Sequence, residues 1–316
     1  MNVPRVSIII PTFNRAGTIA KSVESVLNQS FSDFELIIVD DGSTDNTEEV
    51  VKSLADDRIR YIRQKTNSGG CAARNLGIQQ ARASLIAFQD SDDVWMPDKL
   101  SKQLMALDDP ASSAGVVYSG FLHIRGDKSM YLPDSRIDQK DGWIHDQLIT
   151  GNFVALPSVM VRSECLDQSG LFDESLSRLQ DWDLFLRLSK VCEFKCIDEP
   201  LVKAYYSTDS ISSNNQFLLN SLEIIYQKYQ RDFESNPVAH SKYQFVLAHT
   251  YLTEGRLTEC RVALKLAVAT KRTLIGRMAL LSSYGGLNFC RSAFRVLLTA
   301  AEKKGSLKSR FKPGNP

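Results

Sequence analysis

The sequence predicts an α/β fold: a mostly parallel sheet flanked by helices, with a C-terminal α-helical extension. Three observations carry that prediction. Through residue 100, short apolar runs alternate with segments of helical period, the order expected of parallel strands joined by crossover helices. The runs are apolar at nearly every position, as strands covered on both faces require. Past Ser212 the composition changes and helical patterns take over, which divides the chain into residues 1–212 and 213–316.

The elements follow in order. Val6 to Ile10 is a β-branched strand stopped by Pro11 and followed by the loop T-F-N-R-A-G. Ile19, Val23, Val26 and Leu27 recur at helical spacing within Ala16 to Asn28. Phe34 to Val39 is the next strand, ending in Asp40-Asp41-Gly42-Ser43-Thr44-Asp45, where Asp45 can cap a helix from Asn46 to Leu54. Ile59 to Ile62 is a third strand. A glycine-rich turn, Asn67 to Gly70, feeds a helix reaching about Arg82. Leu85 to Gln89 is a short buried strand, followed by Asp90, Asp92 and Asp93, and Pro97 opens another helix.

Carboxylates packed so densely repel one another unless a cation or polar ligand sits between them. The bland alternative is a solvated turn with an Asp cap. The topology bears on the choice, because each strand ends in a polar loop on the same edge of the sheet. Those loops carry Thr12, Asn14 and Arg15; Asp40 and Asp41; Asn67 to Gly70 with Arg74; and the acidic cluster. Four such loops on one rim describe a nucleotide pocket.

Beyond the cluster the pattern is looser. Gly115 to Ile124 reads as one or two strands, Ser129 to Gln139 as a polar loop, and Asp141 to Gly151, with Trp143 and His145, as a short helix. Pro157 to Val161 is another strand, Gly170 to Glu174 a turn, and Leu179 to Leu188 a helix with Asp181 in its first turn. Ser213 to Asn215 makes a linker and Gln216 to Phe233 a helix. Tyr243 to Leu252 and Leu257 to Ala269, hinged at Gly255, resemble a single tetratricopeptide-type unit, which has to pack on something else to bury its face. The tail from Lys303 reads as disordered.

The chain of 316 residues has ample length for a core, and its 43% apolar and 24% charged content is that of a soluble globular protein. The net charge of +1 hides an asymmetry. Through Ser210 there are 22 basic against 31 acidic residues, a balance of −9; from Ile211 there are 16 against 6, a balance of +10. The basic end either meets an anionic surface or is an ordinary solvated helical face. Six cysteines without a CxxC pair argue against a zinc site or disulfide scaffold and fit a reduced, cytoplasmic setting. The first residues hold too short an apolar run for a signal peptide. Arg277, Arg291 and Arg295 interrupt the most apolar late stretch, which excludes a spanning helix and permits one lying on the inner face of a membrane.

Four segments, V-S-I-I-I-P-T-F-N-R, L-I-I-V-D-D-G-S-T-D, N-S-G-G-C-A-A-R-N-L-G-I and A-F-Q-D-S-D-D, stand in the order of the motifs of family 2 glycosyltransferases. The resemblance covers Val3 to Ser212 and implies the GT-A fold and an inverting transfer. It further implies a nucleotide-sugar donor, of UDP type first, with a saccharide or lipid-linked glycan of bacterial surface polysaccharide synthesis as acceptor. A hexosyl- or N-acetylhexosaminyltransferase is the expected enzyme type.

The resemblance also assigns residues. Asp93 is the implied ligand of Mn2+ or Mg2+, with Asp92 beside it on the ion or the ribose and Asp90 supporting the donor. Asp41 is expected on the nucleobase with Asp40 close by, while Pro11, Thr12 and Phe13 wall the base. Asn67 and Gly70 belong to the same pocket. Arg15 and Arg74 suit the diphosphate; for Arg74 the other reading is a surface salt bridge. Asp181 is the implied catalytic base, against a plain first-turn acid, with Asp183 as its competitor. Relatives often carry a histidine just before an S-I-S segment, where this chain has Ser207 or Thr208. A non-catalytic assembly module is the competing function. No nucleic-acid partner is expected, and a homo-oligomer is compatible with the helical end.

Overall fold

A computed structural model of the chain describes residues 3–135, 137–205, 215–271 and 273–303. The expectations for the linker at 213–214, for Ser207 and Thr208 and for the tail beyond 303 lie outside them. The chain forms two units: the described residues within Met1–Leu148, Asn152–Ser175 and Gln180–Ser207, and those within Ile149–Gly151, Leu176–Leu179 and Thr208–Pro316.

The first unit is built on a nine-stranded sheet. Its parallel half comprises β1 (Val6–Thr12), β2 (Phe34–Asp40), β3 (Ile59–Arg63) and β4 (Leu85–Phe88), in the order β3-β2-β1-β4. Three crossover helices join them: α1 (Ile19–Leu27), α2 (Thr47–Ser53) and α3 (Gly70–Gln80). Burial follows the sequence pattern, since every residue of β2 and β4 is buried. β1 runs on through Pro11 to Thr12, in register with Val39 and Asp40. The proline is tolerated because β4 has already ended opposite Ile9, so its missing N–H breaks no ladder bond. α3 packs closely, and a Cβ at Gly77 would sit 2.5 Å from the Ile9 side chain.

Past β4 come β5 (Val94–Trp95), α4 (Lys99–Asp108), β6 (Ala114–Arg125), β7 (Lys128–Leu132), α5 (His145–Leu148) and β8 (Val159–Arg162). α6 (Ser163–Ser169), α7 (Gln180–Leu188) and β9 (Glu193–Tyr205) complete the unit. β8 pairs antiparallel with β4 and β6, β9 runs parallel to β6, and β5 pairs antiparallel with β9. The second half of the sheet is therefore mixed. Residues 129–132, expected in a loop, belong to β7, a hairpin partner of β6 whose side chains are mostly exposed. β9 and β5 have no clear sequence signal: β9 mixes charged and apolar residues around Pro200, and only its register with β6 makes it a strand.

In the second unit α8 (Asn215–Lys228), α9 (Gln230–Ser235), α10 (Pro237–Thr253), α11 (Leu257–Thr270), α12 (Leu274–Ser282) and α13 (Leu287–Lys303) follow one another. The helix expected over 216–233 breaks at Tyr229 into α8 and α9. Tyr226, Phe233, His240 and Tyr243 form an aromatic stack, with Phe233 and Tyr243 centroids 4.4 Å apart. Asn236 caps α10 by accepting the Ala239 N–H.

One buried acid holds the N-terminal end of the parallel strands. Glu35, 2% exposed, accepts from Ser7 Oγ at 2.6 Å, Arg60 Nη1 at 2.6 Å, and Arg82 N and Nε at 2.7 and 2.9 Å. Burial raises its pKa, but those four donors outweigh burial and hold it below the ordinary value of 4.5. Its contribution is therefore complete above pH 4.5 and is lost as pH falls through the folded pKa. Glu35→Gln should cost about 2 kcal/mol at pH 7. Chemical denaturation of both proteins from pH 7 to pH 3 should show that gap closing as the solution is acidified.

Candidate active site

The parallel strands deliver their loops to one edge, and side chains tie those loops together. Asn14, at φ 51°, accepts the Thr44 N–H through Oδ1 at 2.8 Å and donates its own N–H to Ser43 Oγ at 2.9 Å. The loops after β1 and β2 thus share one geometry. Asp45 accepts from Thr47 N and Ala16 N, the turn chemistry expected of it.

Asp40 and Asp41 do different work. Asp40, expected near the nucleobase, is fully buried, and its carboxylate accepts from Ser43 N and from the Tyr61 hydroxyl. From the last position of β2 it braces the turn. Asp41 accepts from Ser68 N and Gly69 N, both at 2.7 Å, and so anchors the glycine-rich loop. At Gly42, φ 80°, an added Cβ would meet the Thr66 and Asn67 backbone at 3.1 and 3.2 Å, a close approach reserved for glycine. Phe13 is 41% exposed, Asn67 is exposed, and Pro11 is half-buried.

At the end of β4 the three acids gather, and two of them meet arginines. Arg74 Nη2 donates to Asp90 Oδ1 at 2.7 Å; Arg15 Nη2 lies 3.7 Å from Asp92 Oδ2. Asp93 is buried, and the Tyr205 N–H donates to its Oδ1 at 3.0 Å. Burial, then the charges of Asp90 and Asp92, push the Asp93 carboxyl well above the ordinary carboxylate range, and burial with Asp90 raises Asp92 as well. The strand that supplies Tyr205 is β9, so a sequence-silent element closes this side of the site. Lys21 of α1 lies over the Tyr205 ring, 4.5 Å from its centroid. Thr12 Oγ1, Arg74 Nε and Gln89 Oε1 are among the buried polar atoms without a hydrogen-bond partner. Gly70, at the start of α3, has its Cβ position 3.1 Å from Arg74 Nη1, which leaves room for the arginine to fold across the loop.

The helix carrying Asp181 is brought to the same edge by three contacts. β8 runs antiparallel to β4, so residues 152–158, which precede β8, lie at the end of β4 where the acids are. Asn152 Nδ2 donates to Asp181 Oδ2 at 2.9 Å. Asn75 of α3, the residue after Arg74, clamps the turn before α7: it accepts from Phe172 N at 2.9 Å and donates to Phe172 O and Glu174 Oε1 at 3.0 and 2.8 Å. Phe172 meets Phe88 of β4 edge-on at 5.5 Å. Asp183, the competitor, is fully buried and paired with Arg187 at 2.8 Å, and Arg187 also donates to the carbonyls of Ser169, Gly170 and Leu171. Its carboxylate serves the core. His145 bonds Ser189 through Nδ1.

Sequence reasoning missed Asn152 and Tyr205. Neither has a local signal: Asn152 follows a glycine in an irregular stretch, and Tyr205 contributes a backbone N–H that any residue could supply. A cavity of about 810 Å3, lined by Lys102, Met105, Asp141, Phe194 and Lys195 among others, holds none of the expected site residues.

Comparison with known proteins agrees with this architecture. Residues 7–164 match the glycosyl transferase family 2 pattern. The putative teichuronic acid biosynthesis glycosyltransferase TuaG of Bacillus subtilis is 30% identical over 231 residues, 72% of this chain and 89% of TuaG. An uncharacterized glycosyltransferase of Rickettsia felis is 33% identical over 223 residues, 70% of this chain, and the chain spans only 36% of that relative's length. Among solved structures, S. aureus TarS 1–349 in complex with UDP-GlcNAc superposes with a TM-score of 0.64 at 18% identity, covering 99% of this chain and 98% of that one. Mannosyltransferase PcManGT from Pyrobaculum calidifontis, in complex with GDP-Man and Mn2+, gives 0.56 at 19% identity, over 98% and 89%. Those two likenesses speak to fold alone. The family match over half of the 316 residues, on a sheet whose motif loops converge at one edge, makes this chain a member of glycosyl transferase family 2, a glycosyltransferase of GT-A fold.

Proposed function

We propose that the protein transfers a sugar, with inversion at the anomeric carbon, from a nucleoside diphosphate sugar of UDP type to a hydroxyl of a saccharide or lipid-linked glycan. The observation that carries this reading is Asp93: a buried carboxyl set against Asp90 and Asp92, on the same edge as Asp181. TarS, with UDP-GlcNAc, supports a UDP donor by analogy of fold, and TuaG supports an acceptor in surface polysaccharide synthesis.

In this reading the base lies between Phe13 and the Pro11–Thr12 edge, where the Thr12 hydroxyl can accept or donate one hydrogen bond. Asp41 keeps the Asn67–Gly70 loop closed against it. Arg74 and Arg15 are drawn toward the diphosphate, exchanging carboxylate partners for phosphate oxygens in bidentate geometry. Asp181 takes the proton of the acceptor hydroxyl as its oxygen attacks the anomeric carbon. The bond from that carbon to the diphosphate breaks on the opposite face, and the nucleoside diphosphate departs with the electron pair. Asn152 Nδ2 holds one Asp181 oxygen and the Trp182 N–H the other, which fixes the orientation of the carboxylate.

The donor set suits a hard divalent cation, Mn2+ or Mg2+, held by Asp93 with Asp92 beside it. When bound, such an ion neutralises charge that builds on the leaving diphosphate. Among the described residues no three His, Cys, Asp or Glu close into a full metal-binding set, so diphosphate oxygens have to complete the coordination.

Asp93→Asn should bring UDP affinity in Mn2+ down to the metal-free level of wild type. The same variant should melt higher than wild type without metal, because it removes a desolvated carboxylate facing two others. In wild type, metal-dependent UDP binding should strengthen as pH rises through the raised Asp93 pKa, since the ion needs the carboxylate. Calorimetric titration across pH, with UDP binding indifferent to Mn2+ in both proteins, would remove the metal assignment. Asp181→Asn should keep donor affinity and lower turnover by about 10²–10⁴-fold. Unchanged turnover in a coupled assay for released UDP would place the base elsewhere.

A further inference from the structure

One helix of the helical unit, α12, turns its large apolar residues outward. On α12 the inward residues are small, Gly276, Ala279 and Ser282, while Leu274 and Leu281 are 74% and 72% exposed and Met278 lies exposed between them. Leu274, Arg277, Met278 and Leu281 stand at i, i+3, i+4 and i+7, one outward stripe of three large apolar side chains and a cation. α11 repeats the pattern at the same spacing with Val262, Lys265, Leu266 and Ala269, all exposed. A lone exposed leucine means nothing, but stripes of this kind on consecutive helices mark a contact surface. Tyr284, beyond α12, is also exposed and lies under the Arg261 guanidinium, 5.2 Å from its ring centroid.

Charge narrows the occupant. From Cys260 to Ala301 the sequence contains no acidic residue and seven basic ones, Arg261, Lys265, Lys271, Arg272, Arg277, Arg291 and Arg295. Stripes whose exposed charged members, Lys265 and Arg277, are both cations are poorly matched to a copy of themselves, because like charges would meet across the contact. They are well matched to a surface that is negative outside and apolar just beneath. No helix among the described residues is long and apolar enough to cross a membrane, so the contact is one of lying on the bilayer. We propose that the outward stripes of α11 and α12 seat the protein on an anionic lipid bilayer, with Leu274, Met278 and Leu281 entering the headgroup boundary and Lys265 and Arg277 pairing with lipid phosphates. The proposal uses only side chains of the helical unit and stands apart from the transferase reading.

Flotation of the full chain with lipid vesicles tests it. Wild type should float with vesicles of equal parts phosphatidylglycerol and phosphatidylcholine, far less with phosphatidylcholine alone, and less again as salt is raised. The triple variant Leu274→Ser/Met278→Ser/Leu281→Ser should lose partitioning by at least about tenfold, and Lys265→Glu/Arg277→Glu by about tenfold or more. Thermal melts and UDP binding matching wild type show that each variant is folded. Should the triple variant fold poorly, the charge reversal alone decides. Wild type that ignores anionic vesicles, or folded variants that bind as well as wild type, overturn the proposal. So does a wild-type dimer that the triple variant makes monomeric while neither protein binds lipid, because the face would then join two copies.

Discussion

Three carboxylates crowd the five residues that follow β4, and the site is organised around their repulsion. Arg74 answers Asp90 and Arg15 answers Asp92, while Asp93 has the Tyr205 amide and a buried position. An amide dipole offsets only part of the penalty of a buried charge, so the loop holds a site that a positive ion would relieve. A protein selected for stability alone would place an apolar residue or a second arginine there. Burial and the two neighbouring acids disfavour the charged form of the Asp93 carboxyl.

The remaining polar side chains of the rim serve mostly to position others. Asn14 joins the first two loops, Asp40 stiffens the end of β2, Asp41 fastens the glycine-rich loop, and Asn75 joins α3 to the turn that leads to α7. Through Asn75 and its neighbour Arg74, one short helix touches both the acidic cluster and the approach to Asp181. Catalytic geometry needs supports of this kind, because long side chains on separate loops lose orientation unless their backbones are cross-linked.

The helical unit follows a different logic. Its core is aromatic around Tyr226, Phe233 and Tyr243, yet α12 turns Leu274, Met278 and Leu281 outward and keeps Gly276, Ala279 and Ser282 inside. That inversion lowers the apolar area the unit buries for itself and leaves area for a partner surface.

How much of this was legible in the residues varies along the chain. The parallel half of the sheet, its crossover helices and the four loops at its carboxyl edge were readable because strands buried on both faces and amphipathic helices leave periodic traces, and the acids, glycines and arginines of the loops are chemically conspicuous. The placement of Asp181 in the first turn of a helix was equally plain. Other facts have no local trace. β9 became a strand through pairing with β6, both Asp40 oxygens are taken by Ser43 and Tyr61, and Asp183 was separated from Asp181 by the side of the helix it occupies. Asn152 reaches Asp181 only because β8 folds back against β4. Sequence alone determined which residues could bear charge at the edge of the sheet. Tertiary structure decided which of those charges are already answered, since hydrogen-bond partners come from segments distant in the chain and no local pattern records them.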